Sequence, residues 1–155
     1  MYTRHDTAVT TPTPAQVLGP VVTAIDHVGF AVPDVDEAIA FYTRTFGLTL
    51  VHEESNEEQG VREAMLAIGD SQIQLLGALR PDSEIGKFLD KRGPGIQQVA
   101  FRVTDITVAS QRLRDAGLHL LYEEPRIGTA GSLINFVHPK DCGGVLVELV
   151  EPAAH

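Results

Sequence analysis

The chain says the same thing twice. Residues 25–54 read IDHVGFAVPDVDEAIAFYTRTFGLTLVHEE and residues 96–124 read IQQVAFRVTDITVASQRLRDAGLHLLYEE; with one residue skipped near Phe46 they run in parallel. Ile25 matches Ile96, Val28 matches Val99, Phe30 matches Phe101 and Val32 matches Val103. Asp34 matches Asp105, Gly47 matches Gly117, and Glu53-Glu54 matches Glu123-Glu124. A unit used twice restricts the fold to two copies of one substructure. Equivalent positions then converge at a pseudo-symmetric seam. At one such position the pair is His27 and Gln98.

Each copy opens with a strand-like alternation. Val28, Phe30 and Val32 share one face, and His27, Gly29 and Ala31 the other. Val99, Phe101 and Val103 repeat the first face, with Gln98, Ala100 and Arg102 opposite. A helix follows in each copy. Asp34 is placed to cap the first, with Glu37 three residues on. Val35, Ala38, Ile39, Tyr42 and Phe46 recur at helical spacing, and Gly47 supplies the stop. Asp105 caps the second, Ile106, Val108, Ala109 and Leu113 form its stripe, and Gly117 stops it. Three strands are expected after each helix: 48–54, 61–68 and 71–77, then 118–124, 132–138 and 144–150. Gly69-Asp70 reads as a tight turn between two of them. Gly143-Gly144 marks the corresponding connection in the second copy.

The expected fold is therefore α+β: two tandem βαβββ modules, 23–78 and 95–151, forming one domain over 23–151. A helical linker, 79–94, joins them, with Ser83 as cap and Ile85, Phe88 and Leu89 as its apolar face. Residues 1–22, rich in Thr and Pro, read as a mobile tail without the apolar core of a signal peptide.

A strand covered by a helix on one face must present the other to solvent, to a second sheet or to a cavity. Four strands place a polar side chain at an equivalent position of that second face: His27, Gln74, Gln98 and Glu148. Gln74 in IQL and Glu148 in VEL correspond across the repeat. Burying such groups unpartnered costs a few kcal/mol each. A divalent cation would satisfy all four; so would a wet cleft or a dimer interface. Imidazole, carboxylate and amide oxygen suit cobalt, nickel, zinc, manganese or magnesium. In VREAMLAI, Glu63 and Met65 share a face opposite Ala64, Leu66 and Ile68. If that face lines the cavity, Glu63 is placed to abstract a proton alpha to a carbonyl; otherwise it is an exposed strand-end carboxylate.

Composition removes several functions. A formal net charge of -9 argues against nucleic acid as partner. No apolar run reaches the ~20 residues of a membrane helix. Cys142 is the single cysteine, which excludes an intrachain disulfide and points to a reducing compartment, the cytoplasm. Its loop, HPKDCGG, holds no base at a diagnostic spacing, so the thiol reads as structural. Lys87, Lys91 and Arg92 around the linker helix, and Arg126 and Lys140 in later loops, are candidate contacts for phosphates, or simply solvated surface.

The stretches IDHVGFAV, NEEQGVREAML, IQLL, DSEIGKFLDKRGPGI, EEPRIGTAGS, INFVHPK and GGVLVEL resemble the methylmalonyl-CoA epimerase family of the vicinal oxygen chelate superfamily, which includes glyoxalase I. They cover most of residues 25–151. The resemblance implies a curved mixed sheet around a central metal-binding cavity, a homodimer, and interconversion of (R)- and (S)-methylmalonyl-CoA. It implies His27, Gln74, Gln98 and Glu148 as metal ligands, cobalt as the expected ion, and Glu63 as the catalytic base. The family usually carries His-His where this chain has Gln97-Gln98, so an amide replaces an imidazole in the ligand set. Two alternatives stand beside this reading: a glyoxalase I-like lyase, and a metal-free ligand-sequestering member of the superfamily.

Overall fold

The structure, a computed structural model, describes residues 16–154. Most of the stretch expected as a tail, 1–15, lies outside the described residues. Its last residues are built into the fold: Gly19–Val21 form a 3-10 turn, and Val21 is buried against the second module.

The first module runs β1 (Val22–Ala31), α1 (Val35–Phe46), β2 (Thr49–Asn56), β3 (Val61–Ile68) and β4 (Ser71–Ala78). The linker holds α2 (Glu84–Arg92). The second module runs β5 (Gly95–Val103), α3 (Ile106–Asp115), β6 (Arg126–Ile127), β7 (Leu133–Val137) and β8 (Val147–Glu151). The capping chemistry works as the sequence anticipates. Asp34 accepts from the Glu37 N–H and Asp105 from the Val108 N–H, each at 3.0 Å. Ser83 accepts from the Gly86 N–H at 3.0 Å. Gly47 closes α1 at φ 74°, a left-handed conformation that costs glycine little.

All eight strands form one sheet in the order β2-β3-β4-β1-β5-β8-β7-β6. β1 and β4 pair in parallel, as do β5 and β8, while β1 and β5 join the modules antiparallel. The helices cover one face. Val35, Ala38, Ile39 and Tyr42 of α1 pack with Ala64, Leu66 and Leu75, and Ile106, Ala109 and Leu113 of α3 pack with Val103, Val137 and Leu149. Phe46 leaves the expected stripe and is exposed, at the frayed end of α1. The other face is concave. α2 closes one end of it, with Ile85, Phe88 and Leu89 against Ala31, Val61 and Leu76. No helix among the described residues is long and apolar enough to cross a membrane.

The strand expected over 118–124 does not form. Leu120 makes a single bridge to Val137, and the outer strand is instead β6, two residues long. The cause is local. The fully buried Asn135 side chain accepts from the Tyr122 N–H at 3.1 Å and donates to the Tyr122 carbonyl at 2.9 Å. It satisfies the groups a neighbouring strand would pair, and Pro125 cannot donate to a ladder.

Candidate active site

The pseudo-dyad passes between Val28 and Val99, repeat equivalents that face each other across β1 and β5. On either side of it the register builds two matched rows. One reads Met65–Gln74–Gly29–Gln98 and the other Phe136–Glu148–Ala100–His27. In each row two long polar side chains flank a small residue, so the four meet over Gly29 and Ala100. Gly29 is required sterically: a Cβ there would lie 2.7 Å from Cγ of Gln98.

Three register shifts interrupt the same seam: single extra residues on β1 at Thr23 and Asp26, and one on β5 at Gln97. A bulge breaks the two-residue alternation. Asp26 and His27 are adjacent, yet both are buried and both line the cavity. His27 Nδ1 lies 2.8 Å from Asp26 Oδ2, and the Arg102 Nε–H donates to Asp26 Oδ1 at 3.0 Å. His27 Nε2 faces inward, 2.9 Å from Glu148 Oε1. Gln98 Nε2 sits 3.4 Å from His27 Nε2, 3.2 Å from Gln74 Oε1 and 3.3 Å from Glu148 Oε1.

Burial pulls the His27 pKa down, but hydrogen bonds and charge from Asp26 and Glu148 outweigh it and push it up to about 9. Burial would raise the Asp26 carboxyl; its bonds from His27 and Arg102 win and hold it below the ordinary carboxylate value. Glu63 goes the other way. Burial raises its pKa, and the neighbouring Glu54 and Glu148 charges add to the shift against a lowering bond from Thr129.

Glu63 Oε2 accepts from Gln74 Nε2 and, at 2.8 Å, from the Thr129 hydroxyl. Thr129 belongs to a loop of the second module, so the sheet curls until its far end touches the first. Ala130, in the left-handed region at φ 55°, donates its N–H to Glu54 Oε1 at 3.2 Å across the same gap. The cavity, open to solvent on one side, is about 1590 Å³, above the ~300–1,000 Å³ of common small-molecule sites. It has room for a bulky ligand.

The model of the Glyoxalase/Bleomycin resistance protein/Dioxygenase superfamily matches residues 26–136. Among solved structures, the methylmalonyl-CoA epimerase of Mycobacterium tuberculosis is 58% identical, covering 86% of this chain and 91% of that one, with a TM-score of 0.84. A methylmalonyl-CoA epimerase in complex with methylmalonyl-CoA and NH4+ is 50% identical, over 86% of this chain and 96% of that one, with a TM-score of 0.83. The mitochondrial methylmalonyl-CoA epimerase of Bos taurus is 39% identical over 81% of this chain and 72% of its own. The chain belongs to the methylmalonyl-CoA epimerase family of this superfamily.

For a member of the epimerase family the donor set is uneven. Among the described residues no group of three or more His, Cys, Asp or Glu side chains is arranged to hold a metal. The set here has one imidazole, one carboxylate and two amides. Its geometry nonetheless fits a cation. The Gln98 amide nitrogen lies near two acceptors, Gln74 Oε1 and Glu148 Oε1, and near His27 Nε2, which offers a third lone pair once it is deprotonated, while the amide has only two hydrogens to give. Turned over, the same amide presents an oxygen as a fourth donor; which way it points is an assignment that depends on its partners. Family and geometry together are consistent with a divalent metal at this point.

The structure brings all five expected site residues, Glu63, His27, Gln74, Gln98 and Glu148, to one cavity. Of the candidate basic residues, Arg126 lies in the wall, its guanidinium 3.9 Å from the centre of the Tyr122 ring. Lys87 pairs with Glu84 at 3.8 Å, Arg92 lies over Phe88, and Lys140 sits in the 3-10 turn Pro139–Cys142. None of these three lines the cavity. Sequence reasoning missed Asp26, because strict alternation turns it away from His27. It also missed Thr129, although the PRIGTAGS stretch containing it already carried the resemblance.

Proposed function

We propose that the protein is an isomerase that interconverts (R)- and (S)-methylmalonyl-CoA by removing and returning the proton at C2. The observation that carries this reading is the placement of Glu63, a half-buried carboxylate bonded to Gln74 of the His27, Gln74, Gln98 and Glu148 cluster inside a cavity large enough for a CoA ester. His27, Gln74, Gln98 and Glu148 would hold a divalent cation; when bound, it supplies a Lewis acid beside the substrate's carbonyl oxygens. Cobalt is the ion we assign first, with nickel, zinc, manganese and magnesium as alternatives, since imidazole, carboxylate and amide oxygens suit borderline and hard cations.

The C2–H is flanked by a thioester and a carboxylate, so the electron pair left behind delocalises onto oxygen. Glu63 takes the proton. Its raised pKa makes it a stronger base than an ordinary carboxylate. Both hydrogen bonds it accepts fall on Oε2, which leaves Oε1 free to take the proton. Glu148 or a water returns a proton to the opposite face. The apolar wall of Ile134, Phe136 and Val150 suits the C2 methyl group.

Arg126, stacked on Tyr122 at the cavity wall, is the first candidate to meet the CoA phosphates, and Lys87, Arg92 and Lys140 are more distant ones. A homodimer is supported by Ile25 and Ile96, repeat equivalents that are both exposed near the seam. The single cysteine supports a cytoplasmic setting. The test is an epimer-specific assay on cobalt-loaded protein. Conversion of pure (R) substrate to the (R)/(S) mixture supports the reading, and recovery of unchanged (R) substrate overturns it.

A further inference from the structure

Asp26 is the one buried carboxylate of the cavity that the proposed chemistry does not use. It is neither near the substrate-facing side of Glu63 nor among the four convergent donors. Its two oxygens have separate partners: Oδ2 faces His27 Nδ1 at 2.8 Å, and Oδ1 takes the Arg102 Nε–H at 3.0 Å. The strand spends a bulge to put it there. At the matching bulge of β5, Gln97 has no such partner, and its buried Oε1 has no hydrogen bond.

We infer that Asp26, held by Arg102, is a positioning residue that fixes the tautomer of His27. An imidazole has one proton to share between two nitrogens. Carboxylates stand at both nitrogens, Asp26 Oδ2 at 2.8 Å from Nδ1 and Glu148 Oε1 at 2.9 Å from Nε2; only Asp26 is pinned by an arginine, so Nδ1 keeps its proton and Nε2 gives up its own, leaving a lone pair toward the site. Arg102 gives this choice its rigidity. It occupies Oδ1, so the carboxylate cannot rotate away, and Arg102 Nε–H always needs an acceptor in that place.

The pairing makes Asp26→Asn an informative substitution. Arg102 donates, so the Asn oxygen must face Arg102. The Asn NH2 then faces His27 Nδ1 and donates to it. The proton moves to Nε2, and the lone pair that faced the site is gone. Replacing Arg102 by Met on that background frees the amide to turn over and restores the original tautomer.

The consequence for cation binding rests on the reading of His27 as a ligand; the tautomer itself does not. The experiment therefore has two arms. Nitrogen-15 NMR of metal-free protein, followed upward in pH until the imidazole is neutral, reads the tautomer. Wild type should show a protonated Nδ1, Asp26→Asn a protonated Nε2, and Asp26→Asn with Arg102→Met a return toward wild type. Titration calorimetry with zinc should show affinity about 10–100-fold weaker in Asp26→Asn, with partial recovery in the double variant. If Asp26→Asn does not fold, Asp26→Ser replaces it; a hydroxyl gives or takes, so both tautomers should appear. A His27 protonated at Nδ1 alone in Asp26→Asn, or in Asp26→Ser where that replaces it, overturns the assignment. Tautomer switching in a protein that binds no zinc supports the role of Asp26 and overturns the metal reading instead.

Discussion

The two modules share a backbone plan at the site and differ in what they hang on it. Each supplies a bulged first strand, a polar residue beyond the bulge, and a polar residue on its last strand. In the first module the bulge pair is Asp26-His27, an acceptor and an imidazole locked together at 2.8 Å. In the second it is Gln97-Gln98, and Gln98 bonds only to the residues around the centre. The position equivalent to Glu63 in the second module is Ile134, two places before Phe136 as Glu63 is two before Met65. One half carries the proposed base, Glu63, and the imidazole; the other carries the apolar wall and, through Thr129, a hydrogen bond to Glu63. Duplication gives a symmetric cradle, and divergence of side chains gives it one reactive face.

The most severe way to break this division is to remove the base. Glu63→Gln should lower the epimerisation rate by about 10²–10⁴-fold. It should not lower stability. Burial raises the Glu63 pKa, so the folded state favours its neutral form, and the ionised carboxylate costs stability once pH exceeds its unfolded value. An amide removes that cost, and the melting temperature at pH 7 should stay level or rise. A large fall would mean that Glu63 is structural.

Making the halves more alike tests the ligand set. Gln98→His should tighten cobalt or zinc binding by about 10–100-fold, read by calorimetry, since imidazole is the better donor for these ions. No change would place the cation away from Gln98. Gly29→Ala acts on the same residue from behind. A Cβ 2.7 Å from Gln98 Cγ must push that side chain off the centre, and overpacking of this kind costs about 1–3 kcal/mol. Cation affinity should fall with it. The equivalent residue in the second module is already alanine, and Ala100→Gly should leave affinity nearly unchanged.

How much of this was readable in the chain depends on what kind of physics set it. The repeat exposed the modules, the caps at Asp34 and Asp105 marked both helices, and two-residue alternation brought His27, Gln74, Gln98, Glu148 and Glu63 to one face. Alternation also hid Asp26, because a bulge is a register event between two strands and leaves no mark in either alone. The missing strand over 118–124 fails for a similar reason. Its apolar pattern is strand-like, but the Asn135 side chain, thirteen residues away, takes over the pairing of Tyr122. Thr129 reaches Glu63 only through the curl of the whole sheet.

Smaller effects should follow from titration. Thr129→Val removes the bond that lowers the Glu63 pKa, so the acid limb of the kcat/KM profile should move upward. An unmoved limb would detach Thr129 from the base. His27 offers a stability test. Its pKa in the folded, metal-free protein is about 9 against a reference of 6.5, so protonated His27 stabilises the fold fully below pH 6.5, by up to about 3 kcal/mol. That contribution is lost as pH rises to 9. Chelator-treated protein should weaken across this window, and His27→Asn should flatten the dependence.

The central claim is that Glu63 removes the C2 proton of methylmalonyl-CoA beside the cluster of His27, Gln74, Gln98 and Glu148. Deuterium uptake at C2 in heavy water reads that step alone. Cobalt-loaded wild type should exchange the C2 proton rapidly, chelator should slow it, and cobalt-loaded Glu63→Gln should exchange at a rate near the uncatalysed background. Exchange by Glu63→Gln at the wild-type rate would contradict the account.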